Sequence, residues 1–158
     1  LADELLAAAL AAIGRKERTE SEMREWLVER EAEPEEADRV MACLVENLAI
    51  DDKRFANGYA EDKRRLAGWG RDRIESALIK RGVPRHLIAG ALAGDEDESE
   101  VDRATRVLLG KASELATDRG RQRALGLLAR RGFSAEDAYA AIRRAGREGP
   151  SGEGDCGR

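Results

Sequence analysis

Histidine is nearly missing from this sequence, with His86 the single example in 158 residues. A metal site resting on two or three histidines is thereby excluded, as is an HExxH pattern. Any Ser-His-Asp arrangement would have to run through His86. No GxSxG elbow accompanies it and no GxxxxGK[ST] phosphate loop occurs; Gly110-Lys111 alone carries no meaning. His86 reads as a residue at a helix start rather than a proton carrier. Cysteine is scarce too: Cys43 and Cys156 form no CxxC pair and no Cys/His cluster, so neither structural zinc nor a disulfide is expected. Cys43, in an apolar helical stretch, reads as a small core residue. No window approaches the roughly 18 consecutive apolar residues of a membrane span. The Ala-rich stretch from Leu5 to Ile13 lacks the basic flank of a signal peptide, carries Asp3 and Glu4 instead, and runs on into charged helix. The expectation is a cytoplasmic protein without membrane contact, with no enzymatic activity and no metal or cofactor.

Aromatic residues make up 4% of the chain and there are three prolines, while 38% of the residues are charged. An average globular domain has about 25% charged residues. Many solvated helical faces around a thin core produce that balance, and a thin core suits an elongated array of small modules. The formal net charge of −4 hides an uneven distribution. Residues 1–50 hold 6 basic and 13 acidic side chains, residues 51–93 hold 10 and 6, and residues 103–147 hold 11 and 4. A short acidic run from Asp95 to Asp102 reads as a linker and helix start. Basic surface is therefore expected in the middle and C-terminal thirds.

Internal repetition organises the chain. Thr19-Glu-Ser-Glu-Met23 through Leu27, Gly70-Arg-Asp-Arg-Ile74 through Leu78, and Gly120-Arg-Gln-Arg-Ala124 through Leu128 align at offsets of 51 and 50 residues. Each begins an amphipathic helix that ends near a basic residue, at Arg30, Arg81-Gly82 and Arg131-Gly132. A break and a second helix follow. Gly82 and Gly132 suit the left-handed position after a helix end. Glu31 stands at that place in the first repeat, so its turn is expected to differ. Thr19 with Glu22 and Ser134 with Asp137 have capping-box spacing, Asp51 can cap the helix to about Ala67, and Ile50 and Phe55 fall at staple positions around that cap. Pro34 and Pro84 sit where a first-turn proline is tolerated. A preceding helix in each repeat is expected over residues 2–13, 52–67 and about 97–116. The fold class is all-α, a tandem array of three three-helix repeats, elongated and curved. Residues 1–50 form an acidic first repeat, 51–93 the central one, 94–145 the third, and the Gly-rich 146–158 a disordered tail.

The stretch from Leu48 to Val83 resembles the central repeat of the RecX family of recombination regulators. The resemblance lies in Asp51-Asp52 followed by Arg54-Phe55-Ala56, then Lys63-Arg64-Arg65, Gly68-Trp69-Gly70, Arg73-Ile74, Leu78 and Arg81-Gly82-Val83. Arg18-Thr19-Glu20-Ser21-Glu22-Met23 is similar to the start of that family's first repeat, and Leu127-Leu128-Ala129-Arg130-Arg131-Gly132-Phe133 to its third-repeat turn. In order, the likeness covers roughly residues 5–145. The chain departs from the family at Glu31, usually glycine, and in its unusually acidic first repeat.

The resemblance implies a bacterial regulator that binds the RecA recombinase, chiefly as its filament on single-stranded DNA. It would lie in the filament groove and inhibit ATPase, strand-exchange and coprotease functions, turning down recombination, DNA repair and the SOS response. The alternative is a direct nucleic-acid-binding helical repeat protein that competes for DNA, and the plainest reading is a helical scaffold for another partner. A monomer with weak contact to single- or double-stranded DNA is expected. Candidate partner- or DNA-binding residues are Lys63, Arg64, Arg65, Trp69, Arg71, Arg73, Lys80, Arg81, Arg119, Arg121, Arg123, Arg130 and Arg131, several of them at equivalent repeat positions. Lys63 to Arg65 also suit a merely solvated face, and Trp69 either packs over a helix corner or stands out as an anchor. Asp51, Asp52, Phe55, Gly82, Gly132 and Phe133 are structural candidates. Phe55 and Tyr59, four apart, read as core rather than a base-stacking platform.

Overall fold

The computed structural model describes residues 2–93 and 98–147. The expected disordered tail lies, from residue 148 on, outside the described residues, as do Cys156 and residues 95–97 of the acidic run; Gly146 and Arg147 end the last helix. Among the described residues there are nine α-helices and no strand: α1 (Ala2–Arg15), α2 (Glu20–Glu29), α3 (Pro34–Glu46), α4 (Asp52–Ala67), α5 (Arg71–Lys80), α6 (Arg85–Leu92), α7 (Glu100–Val107), α8 (Asp118–Arg131) and α9 (Ala135–Arg147), with a short 3-10 helix at Glu114–Ala116. They fall into two compact units, residues 2–61 with 75–93 and residues 62–74 with 98–147.

Local chemistry explains where helices begin. Thr19 caps α2 in a complete capping box with Glu22, and Pro34 occupies the first turn of α3. Asp51 accepts from the Arg54 N–H at 3.0 Å and so caps α4. Ser134 accepts from the Asp137 N–H at 3.2 Å at the start of α9. Ser99 and Asp102 form a second full capping box, on α7. In the first unit Met23, Leu27, Met41, Leu44 and Ile50 bury fully around Ala9 and Ala12. In the second, Leu108, Leu115, Leu128, Phe133 and Ile142 build the core. Small cores of this kind leave most charged side chains on the surface.

Two expectations are corrected. The helix expected over about 97–116 is α7 alone, which stops at Val107. Gly110 is left-handed (φ 78), and the chain re-forms as the 3-10 helix that places Leu115 in the core. Thr117 then caps α8 by accepting from the Gly120 N–H at 3.0 Å.

The second correction concerns Glu31. The first-repeat turn does not differ: Glu31 is itself left-handed (φ 55), as Gly82 (φ 75) and Gly132 (φ 92) are. The bonding pattern is the same in all three turns. Ala32, Val83 and Phe133 donate N–H to the carbonyls of Leu27, Leu78 and Leu128 at 3.2, 3.2 and 3.0 Å. The difference is in what lies against the turn. A Cβ at Gly82 would stand 2.4 Å from Ser21 Cβ, and one at Gly132 2.4 Å from the Arg73 nitrogen, whereas Glu31 is exposed. Glycine is demanded by close approach more than by the backbone angle.

Candidate interaction surface

The two glycine turns receive helix starts. In the first unit Thr19 Oγ1 donates to the Arg81 carbonyl at 2.7 Å, and the Glu20 N–H donates to Asp52 Oδ1 at 2.9 Å. In the second unit the Gly70 N–H donates to the Arg131 carbonyl at 2.7 Å, the Asp72 N–H to the Gly132 carbonyl at 3.1 Å, and the Arg71 N–H to Glu100 Oε2 at 3.0 Å. A similar arrangement thus occurs twice: a carbonyl at a helix end accepts from the start of a second helix, from a side-chain hydroxyl in the first unit and from N–H groups in the second, while a carboxylate at the start of a third helix accepts one of its first N–H groups. Asp52, a structural candidate from the sequence, and Glu100, which the sequence did not single out, both hold these junctions. The available signal was an acidic residue at the start of both α4 and α7.

Several candidate residues are engaged inside these junctions. Arg81 pairs with Glu22, donates to the Glu17 carbonyl at 3.3 Å, and lies over the Phe55 ring at 4.6 Å. Burial raises the Glu22 pKa, but the Arg81 guanidinium and the Thr19 N–H outweigh it and leave the carboxyl below its ordinary value. Asp52, 6% exposed, is shifted the other way, since burial and the neighbouring Asp51 and Glu22 outweigh the Glu20 N–H bond. Arg131 donates to the Ala67 carbonyl at 2.7 Å. Arg73 donates to the Arg130 carbonyl at 3.0 Å and lies 4.0 Å from the Trp69 ring centre, while Lys63 Nζ approaches that ring at 4.7 Å. Trp69 is half-buried with two cations against its ring. Phe133 is buried, and a Cβ on Gly70 would meet its ring at 2.8 Å.

The remaining candidates face solvent or lie at its edge. Arg64 is half-buried, and Arg65 is exposed with Asp62 3.8 Å away. The Arg71 side chain and Lys80 are exposed. On α8, Arg121 is engaged by Asp118 and the Leu115 carbonyl. Arg119, Arg123 and Arg130 instead line one open groove of about 560 Å³ with Lys111, Glu114 and Leu127. No group of His, Cys, Asp or Glu capable of holding a metal ion occurs among the described residues, and no described helix is long and apolar enough to cross a membrane. His86 is exposed in the first turn of α6.

Repeated helical triplets, with glycine turns that receive helix starts and basic surface outside them, define a class: tandem three-helix-domain proteins. Residues 6–44 match the model of the RecX first three-helix domain and residues 51–92 that of the second. A regulatory protein RecX from Deinococcus radiodurans is 34% identical over 142 residues, 89% of this chain and 68% of that protein. One from Clostridium perfringens is 31% identical over 99 residues, 63% of this chain and 46% of that protein, so the match spans less than half of that relative. The chain belongs to the RecX family of regulatory proteins. The crystal structure of RecX from Lactobacillus salivarius has the same fold, with a TM-score of 0.79 at 20% identity over 91% of this chain and 96% of that one.

Proposed function

We propose that this protein binds the filament formed by the RecA recombinase on single-stranded DNA and lowers its ATPase, strand-exchange and coprotease activities. It thereby damps recombination and the SOS response, acting as a cytoplasmic monomer. Membership of a regulatory family supports the reading. The observation that carries it is the repeated junction at the starts of α2 and α5, which generates similar helix faces more than once along the chain. A filament is also a repeat, and similar faces that meet successive protomers gain affinity by multivalency. We assign the modules to residues 1–50, 51–93 and 94–145. The acidic first module supplies complementarity to basic protein surface and the basic later ones to acidic protein surface or DNA.

The test is binding to RecA with and without single-stranded DNA, read by interferometry on immobilised RecA. Retained binding without DNA, weakened by the charge reversals Glu25→Lys and Glu29→Lys, supports a direct protein partner. Binding that requires DNA, and is matched by DNA alone, contradicts it.

A further inference from the structure

α2 and α8 hold the same place in the first and third repeats, and each exposes a like-charged pair four residues apart. On α2 the pair is Glu25 and Glu29; on α8 it is Arg119 and Arg123, with Arg130 further along the same face. Like charges at that spacing destabilise a helix. Neither pair is relieved by an ion pair among the described residues, although the cations beside them are: Arg24 meets Asp38 and Arg121 meets Asp118. On the acidic face, next to Glu29, the apolar side chain of Val28 stands 72% exposed. On α8 the arginines flank a groove floored by Leu115, Ala124 and Leu127, with Gly126 in its lining. Glycine is unfavourable within a helix, and the chain's own packing does not call for it there. A Cβ on Gly126 would meet only the Arg130 side chain, at 3.2 Å, whereas one on Gly70, Gly120 or Gly132 would strike backbone.

We propose that the α2 face of one copy seats in the α8 groove of a second copy of this chain. The two faces match in three respects: opposite sign, the same four-residue spacing of charge, and an apolar element beside the charges. Val28 enters the apolar floor beside Gly126, whose missing side chain leaves room for a second helix. Glu25 and Glu29 then meet arginines, whose planar forks suit carboxylates. The contact joins different patches on the two copies and is therefore heterologous. It is small and built largely on exposed charge, which makes it weak and sensitive to salt. The monomer remains the form that meets the filament. Association belongs to the free chain at high concentration, and it covers the acidic face of the first repeat and the basic groove of the third while it lasts.

The test is sedimentation equilibrium of the whole chain, with neither recombinase nor nucleic acid present. In about 50 mM NaCl the weight-average mass should rise above the 17.3 kDa of one chain as its concentration approaches about 0.5 mM, and should fall back at about 0.5 M NaCl. Glu25→Arg with Glu29→Arg, and separately Arg123→Glu with Arg130→Glu, should each give a monomer of unchanged helix content. Mixed in equal amounts, these two variants should associate, since each offers the charge that the other lacks. Val28→Ser should weaken the parent's association about tenfold. The proposal is overturned if the parent keeps the mass of one chain throughout, or if the mixture of variants stays monomeric. It is also overturned if either variant alone associates as the parent does, which would assign the association to another surface.

Discussion

The Thr19 hydroxyl donates to the carbonyl oxygen of Arg81, 62 residues away, at 2.7 Å. The Thr19 hydroxyl oxygen in turn accepts from the Glu22 N–H at 3.1 Å, so one buried hydroxyl both caps α2 and fastens the turn after α5 to it. Arg81 returns to Glu22 with its guanidinium, which closes the junction from both sides.

Thr19→Val keeps the shape of the side chain but removes the donor and the cap. A lost cap and a part-buried carbonyl left without its partner predict a stability loss of about 2 kcal/mol. Urea midpoints measure it, and Thr19→Ser should restore most of the loss.

The three turns predict opposite responses to exchange at the same backbone angle. Gly82→Ala and Gly132→Ala each force a Cβ against a docked helix start and should cost more than about 2 kcal/mol, beyond the left-handed penalty alone. Glu31→Gly relieves an exposed left-handed residue and should gain up to about 1 kcal/mol. Equal effects at the three positions would show that the backbone angle, not the docking, governs the choice of glycine.

Acid should act on two carboxyls in one direction and on a third in the other. Asp102 is held at about 2 by the Ser99 N–H and hydroxyl and by Arg144, and Glu22 also lies below its ordinary range. Folded values below unfolded ones give stability that is present above pH 4 and is lost as pH falls towards 2. Asp52 is raised by burial, so its contribution is greatest in acid and declines as pH rises through its folded value. Asp52→Asn preserves an oxygen for the Glu20 N–H without the buried charge. It should match or exceed the parent's stability at pH 7, with the advantage fading below about pH 4. Paired urea titrations at pH 4 and 7 decide this.

Arg73→Ala removes one cation from the Trp69 ring together with the bond to the Arg130 carbonyl. It should cost about 1–2 kcal/mol and increase acrylamide quenching of Trp69, read in a Trp26→Phe background. Unchanged quenching would place the guanidinium elsewhere in solution.

Features governed by neighbours three or four residues away were readable in the sequence. The Thr19–Glu22 box, the Asp51 cap, the Ser134 cap and the Pro34 start all follow from spacing alone, and so does the all-helical fold. The junctions were not readable, because Asp52 serves a helix 32 residues back and Arg81 one 59 residues back. Glu31 was misjudged for a related reason. Glycine at the equivalent turns answers to packing from a distant helix start, which sequence displays only as a residue preference. The α7 end was hidden as well, since the 107–117 stretch keeps helix-forming residues while Gly110 and the burial of Leu115 set its path. For the candidate surface, the sequence put thirteen side chains forward on charge, aromatic character and repeat position. Only contacts separate Arg73, Arg81 and Arg131, which hold junctions, from Arg119, Arg123 and Arg130, which line the groove.

The measurement closest to the central proposal is RecA's hydrolysis of ATP on single-stranded DNA, titrated with this protein below RecA stoichiometry. The account predicts a fall in rate at substoichiometric protein, because one bound chain acts on a filament of many protomers. An unchanged rate at several-fold excess would contradict it.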